Sequence, residues 1–71
     1  SDTEWEKAPL VDLPLKVKQE FYEQAVAFLA DGDDYGLREI WDEHTNEEKI
    51  VLWGLFNSQE RRTMKKFLDG K

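Results

Sequence analysis

Two short segments of the sequence, TNEE at 45–48 and NSQE at 57–60, constrain the fold most strongly. In each, a residue whose side chain accepts hydrogen bonds is followed three positions later by a glutamate. This is the spacing of a capping box, in which the first side chain and the glutamate each bind the other's backbone N–H at a helix start. One helix is therefore expected to begin at each segment, and only a short helix fits between them.

Apolar periodicity before these segments predicts two more helices. Between Leu15 and Ala30, one helical face carries Val17, Phe21, Ala25, Phe28 and Leu29. Gly32 suits the left-handed residue that follows many helix ends. A shorter stripe then follows at Leu37, Ile40, Trp41 and His44. Asp33 or Asp34 can cap this second helix, and Gly36 weakens its first turn.

The segment NEEKIVLWGLF, residues 46–56, is apolar on nearly all sides of its second half. It predicts the central helix of the domain, packed on more than one side, and it is also a surface through which a homodimer could form. A last helix is predicted at about 58–68. The fold class expected is all-α: a small orthogonal bundle of about four short helices over residues 15–71. Residues 1–14, which contain both prolines, are expected to form a flexible or extended arm.

The charges divide the chain into an acidic and a basic part. Residues 1–58 hold 14 acids and 5 bases, a balance of −9, while residues 59–71 hold 2 acids and 5 bases, a balance of +3, which together give −6. Because acidic surfaces repel the phosphates of DNA, nucleic acid is not expected as the main ligand. No long apolar run predicts a membrane span, and we expect a cytoplasmic protein.

Enzyme chemistry is not indicated by any pattern in the sequence. The chain has no cysteine, and His44 is its only histidine, so no metal site, cofactor site or catalytic residue is predicted. Asp31 and Asp33 begin a segment that resembles a calcium loop, but Tyr35 replaces one of the ligands and Asp42 replaces the bidentate glutamate. His44 is more simply explained as a side chain at the edge of the core.

The last predicted helix has a basic face, which we define as Arg61, Arg62, Lys65 and Lys66, opposite Met64, Phe67 and Leu68. Such cations near a helix C-terminus favour the helix dipole and keep one side hydrated. The alternative is a binding surface for phosphate or an acidic peptide. No aromatic residue alternates with these cations, which disfavours a single-strand stacking platform. Trp5, on the acidic arm, either fastens the arm to the bundle or anchors a partner.

The segment GLREIWDEHTNEEKIVLWGLF, residues 36–56, resembles the helical C-terminal tails of phage single-strand annealing recombinases. A further pattern, LW-x-L-x-x-S-x-x-R-x-x-x-K, is similar to tails of other phage replication and recombination proteins. In this sequence it is matched by Leu52, Trp53, Leu55, Ser58, Arg61 and Lys65. The resemblance implies a module that docks onto DNA-processing proteins. The annealing domain of that family has no counterpart here, so we expect either an excised tail or a small stand-alone protein.

Three functional hypotheses follow. The first is a phage or prophage protein-interaction module that binds a protein of host or phage DNA replication or recombination through the basic face, with Met64 or Phe67 as apolar neighbour. The second is an acidic inhibitor that imitates DNA and blocks a host DNA-binding protein, using acids at 33, 34, 42 and 43. The third is weak binding of single-stranded nucleic acid by the last helix.

Overall fold

The structure, a computed structural model, describes residues 4–69 and contains four helices: α1 (Leu15–Asp31), α2 (Asp34–Trp41), α3 (Asn46–Trp53) and α4 (Ser58–Leu68). The described residues contain no strand, and residues 4–14 form no helix. The predicted all-α fold with an N-terminal arm is therefore confirmed. The predicted arm and bundle also include residues 1–3 and 70–71, which lie outside the described residues.

The helix starts follow the local pattern of the sequence. The Thr45 hydroxyl accepts a hydrogen bond from the Glu48 N–H at 3.2 Å, and the Glu48 carboxylate accepts one from the Thr45 N–H at 3.0 Å. Asn57 and Glu60 make the same reciprocal pair, so both capping boxes are confirmed. Asp33 is the N-cap of α2. These contacts satisfy backbone N–H groups that a helix start would otherwise leave unpaired.

The end of α3 differs from the prediction. The helix ends at Trp53 rather than continuing to Phe56. The chain closes there in tight turns, with the N–H groups of Gly54, Leu55 and Phe56 bonding to carbonyls three residues back. Such bonds tighten a helix end and change its direction. As a result Phe56 lies in the core, only 3% exposed, with its ring centroid 5.1 Å from that of Tyr22.

The core lies where the four helices meet, and α2 packs extensively against both α1 and α4. Three successive residues of α3, Val51, Leu52 and Trp53, are buried in it. The buried apolar residues come from all four helices and the turn after α3: Phe21, Ala25, Leu37, Trp41, Val51, Leu52, Trp53, Phe56 and Met64. Because Val51, Leu52 and Trp53 are already buried within one chain, α3 leaves little apolar surface for a dimer. A homodimer therefore stays a prediction, and it would need apolar surface other than these three side chains.

The packing of α1 against α2 requires glycine at position 36, although glycine has a low helix propensity. The residue is buried in the first turn of α2, where Phe28 of α1 lies against its backbone. A Cβ added at Gly36 would lie 2.5 Å from Phe28 Cε1 and 2.8 Å from the Asp33 carboxylate. Glycine therefore allows α1 and α2 to approach closely, and this benefit outweighs its unfavourable helix propensity.

Replacing Gly36 by alanine is expected to destabilise the protein by about 1–3 kcal/mol, because Phe28 must move out of a packed position. Gly54→Ala is the matched control. A Cβ at Gly54 makes only ordinary contact, 3.4 Å from the Val51 carbonyl, and its φ of −67° suits alanine. Urea unfolding of both variants checks the prediction. Equal stability of the two variants would contradict it.

Glu48 connects stability to pH. The backbone N–H of Thr45 donates to this carboxylate, which lowers the pKa of Glu48 below its usual value of 4.5. Desolvation acts in the opposite direction, and His44 lowers the pKa further through its Nδ1, 3.3 Å from Oε1. Because the pKa is lower in the folded state, the ionised carboxylate favours folding. That stabilisation is present above pH 4.5 and is lost as pH falls through the folded-state pKa.

Glu48→Gln is expected to be less stable than wild type at neutral pH, and the difference should shrink as pH falls below about 4.5. Urea unfolding at a series of pH values measures this difference directly. Glu47→Gln, in the same helical turn but without the capping contact, is the control for loss of charge. The same pH course in both variants would show that the helix dipole, and not the capping box, is responsible.

Candidate interaction surface

The basic face lies on the outer side of α4, but its cations are not equally accessible. Arg62 and Lys66 are exposed, whereas Arg61 and Lys65 are half-buried. Arg62 and Lys66 are four residues apart and therefore lie next to each other on the helix surface. On the opposite side Met64 is fully buried. We call Arg62 and Lys66 the accessible pair.

Arg61 is used within the domain. Its Nε donates a hydrogen bond to the Trp53 carbonyl at 3.1 Å, and its guanidinium carbon lies 5.8 Å from the centroid of a Trp53 ring. The same carbonyl accepts the Phe56 N–H at 3.3 Å, so Arg61 is a second donor to it. Arg61 therefore joins α4 to the end of α3. Arg61 therefore lies at the half-buried edge of the basic face.

The N-terminal end of α4 is held against α1. Glu60, already in the capping box, accepts a hydrogen bond from the Tyr22 hydroxyl at 2.8 Å through its second oxygen. This hydrogen bond to a carboxylate raises the pKa of Tyr22, because the phenolate cannot donate it. Glu60 thus serves both the start of α4 and its contact with α1.

The C-terminal end of α4 is held by Arg38 of α2. One guanidinium nitrogen donates to the Phe67 carbonyl at 2.9 Å and to the Asp34 carboxylate at 3.0 Å. The side-chain hydrogen bond from Arg38 also lowers the pKa of Asp34. The sequence offered a signal for the second contact only, because Asp34 and Arg38 have the i, i+4 spacing of a helical ion pair. With both ends attached, α4 is a firm support for the accessible pair.

Trp5 lies on the bundle. The centroid of its ring system lies 5.2 Å from that of Trp41 and 5.3 Å from that of Trp53. We call the pair of Trp41 and Trp53 rings the indole socket. The neighbouring Glu6 accepts a long hydrogen bond, 3.5 Å, from Trp53 Nε1. This geometry supports the interpretation that Trp5 fastens the arm. Trp5 could bind a partner protein only if the arm left the bundle, and that role stays a prediction.

Several acids proposed for DNA imitation already have intramolecular partners. The Asp33 carboxylate accepts from the Gly36 N–H at 2.9 Å, Asp34 pairs with Arg38, and Asp42 lies 3.7 Å from the Lys49 ammonium. An acid engaged in this way must give up a contact to act as a phosphate substitute. The acidic surface of α2 therefore has an ordinary structural explanation.

His44 lies in the turn after α2, at the edge of the core. Its ring stands edge-on to Phe21, with centroids 5.5 Å apart. Within residues 4–69, no group of three or more histidine, cysteine or carboxylate residues is placed to hold a metal ion. None of the helices described here is long and apolar enough to cross a membrane.

Comparison with known proteins adds no assignment. No protein-family model matches the chain, and neither the curated proteins nor the solved structures include a significant match. The similarity to phage recombinase tails therefore stays a prediction based on the residues that carry it.

Arg61→Ala and Arg62→Ala separate the two roles on the basic face. Arg61→Ala is expected to destabilise the protein by about 1 kcal/mol, because the Trp53 carbonyl loses a charged donor. Arg62→Ala removes the same charge from an exposed position and should stay within about 0.5 kcal/mol of wild type. Urea unfolding at neutral pH measures both. A larger loss for Arg62→Ala would contradict the assignment.

Proposed function

We propose that this helical domain is a protein-interaction module that binds an acidic segment of its partner through the accessible pair on α4. The observation that supports this is the exposure of Arg62 and Lys66 on a helix attached at both ends, in a chain of net charge −6. A small positive surface on an acidic molecule orients an acidic partner, because the rest of the molecule repels it.

The chemistry of the pair suits carboxylates. The guanidinium of Arg62 can bind a carboxylate through two parallel hydrogen bonds, whereas the Lys66 ammonium acts as a point charge one helical turn away. Phe67, half-buried beside Lys66, supplies the apolar neighbour. Met64, which was also considered for this role, cannot take part because it has no exposed surface.

We infer the kind of partner from the resemblance of residues 36–56 to phage recombinase tails. The partner is a protein of DNA replication or recombination in the bacterial cytoplasm, and the domain belongs to a phage or prophage. An acidic inhibitor remains the second candidate, supported by the −9 balance of residues 1–58. The weak single-strand binder is third, because the acidic surface repels phosphates and the Trp53 ring that lies against Arg61 is buried.

Charge reversal of the accessible pair tests the proposal. The variant Arg62→Glu/Lys66→Glu is used alongside wild type for affinity capture from nuclease-treated bacterial lysate. One dominant DNA-processing protein should be captured by wild type and lost with the variant. With that partner purified, the affinity of the variant should be lower by about tenfold or more, because attraction becomes repulsion.

The control is Lys7→Glu/Lys16→Glu, which changes the net charge equally at exposed positions outside α4. It should retain the partner, and circular dichroism should show unchanged helicity in both variants. Unchanged capture by Arg62→Glu/Lys66→Glu would rule out this surface. A DNA-binding protein that this variant retains, and that moderate salt releases, would instead support the acidic inhibitor.

A further inference from the structure

The segment from Pro9 to Pro14, which we call the hinge, has exposed apolar side chains. Leu10 is 82% exposed and Val11 is 38% exposed, and Leu15, directly after the hinge, is 67% exposed. These are three of the four large apolar side chains that are exposed in the described part of the chain. Apolar surface concentrated in this way indicates a contact with another molecule.

The arm is attached to the bundle by side chains alone. Trp5 occupies the indole socket, Glu6 accepts from Trp53, and the exposed Asp12 pairs with Lys18 at 3.2 Å. Within residues 4–69, no backbone hydrogen bond joins residues 4–13 to the helices. Moreover, Trp5 Nε1 is buried without a hydrogen-bond acceptor, which weakens the attachment. The arm can therefore detach without breaking any secondary structure.

The hinge connects the arm to α1 through a bend. The backbone bends at Leu10 and Val11, between Pro9 and Pro14, and this bend returns the arm across its own bundle. The two bent residues, Leu10 and Val11, have no side-chain feature that requires the bend, and β-branched Val11 is well suited to extended backbone. The chain can therefore also form a straight hinge, which would carry Trp5 away from its own socket.

We propose that two copies of this chain exchange their arms, so that Trp5 of each copy occupies the indole socket of the other. The socket accepts this arm already, and a second copy offers an identical socket, so an exchange closes into a two-fold symmetric dimer. Because the socket contacts are the same in the monomer and the dimer, they do not decide between the two states. The hinge decides.

In the exchanged dimer the two straight hinges run side by side near the two-fold axis. Leu10 and Val11 of one copy then cover those of the other, and apolar area exposed in the monomer is removed from water. Leu15 also borders an open cavity of about 460 Å³, which Tyr22 and Leu55 line together with the polar side chains of Lys18, Gln19 and Glu23. This surface is separate from the accessible pair on α4, and it does not depend on the proposed function.

The oligomeric state of the full chain tests the exchange. Sedimentation velocity over about a hundredfold concentration range should show a monomer–dimer equilibrium. Leu10→Ser/Val11→Ser should raise the dimer dissociation constant by about tenfold or more, because the hinge loses its apolar contact. Tyr35→Ser, which changes the exposed apolar residue outside this region, is the control and should leave the constant unchanged. Wild type that stays monomeric over the whole range would overturn the proposal.

A second measurement separates arm exchange from simple pairing of hinges. In a mixture of isotope-labelled and unlabelled wild-type chains, isotope-filtered NOEs should connect Trp5 of one copy with Trp41 or Trp53 of the other. A dimer whose Trp5 contacts lie only within each chain would overturn the exchange.

Discussion

The contact between Trp41 and Trp53, with ring centroids 6.1 Å apart, is the interaction on which the rest of this small structure depends. It joins the end of α2 to the end of α3, and Phe21 of α1 lies against the same Trp41 ring. Trp5 packs against the Trp41 ring and so holds the arm on the bundle. A domain of this size buries only a modest share of its surface, so a few large aromatic side chains must supply much of its apolar burial.

Around this aromatic centre, polar side chains serve helix ends rather than an interior network. Arg61 reaches the carbonyl end of α3, Arg38 reaches the carbonyl of Phe67 in α4, and Glu60 serves the start of α4 while binding Tyr22. Each contact gives a terminal backbone group a partner that the helix itself lacks. Within residues 4–69, Arg62 and Lys66 make no contact of this kind, and this distinction is the basis of the proposed interaction surface.

The candidate surface could be predicted from the sequence only as a helical face. The 3.6-residue period places Arg61, Arg62, Lys65 and Lys66 together, because the positions of side chains around a helix depend on the helix alone. The period does not distinguish Arg61 from Arg62. That distinction depends on the Trp53 carbonyl, eight residues earlier in the chain, and its position follows from the tight turns after α3. Likewise, nothing in the sequence around Trp5 indicates which rings it will contact.

The sequence by itself determined where the helices begin and which class of fold they form. Capping boxes, as at Thr45 and Asn57, act within a single turn, so their outcome does not depend on distant residues. Only the tertiary structure decided that Gly36 must be small and that α3 ends at Trp53. The same holds for the placement of Trp5 in its socket. The physical reason is that these features depend on contacts between residues far apart in the chain, whose distances are set only when the helices pack.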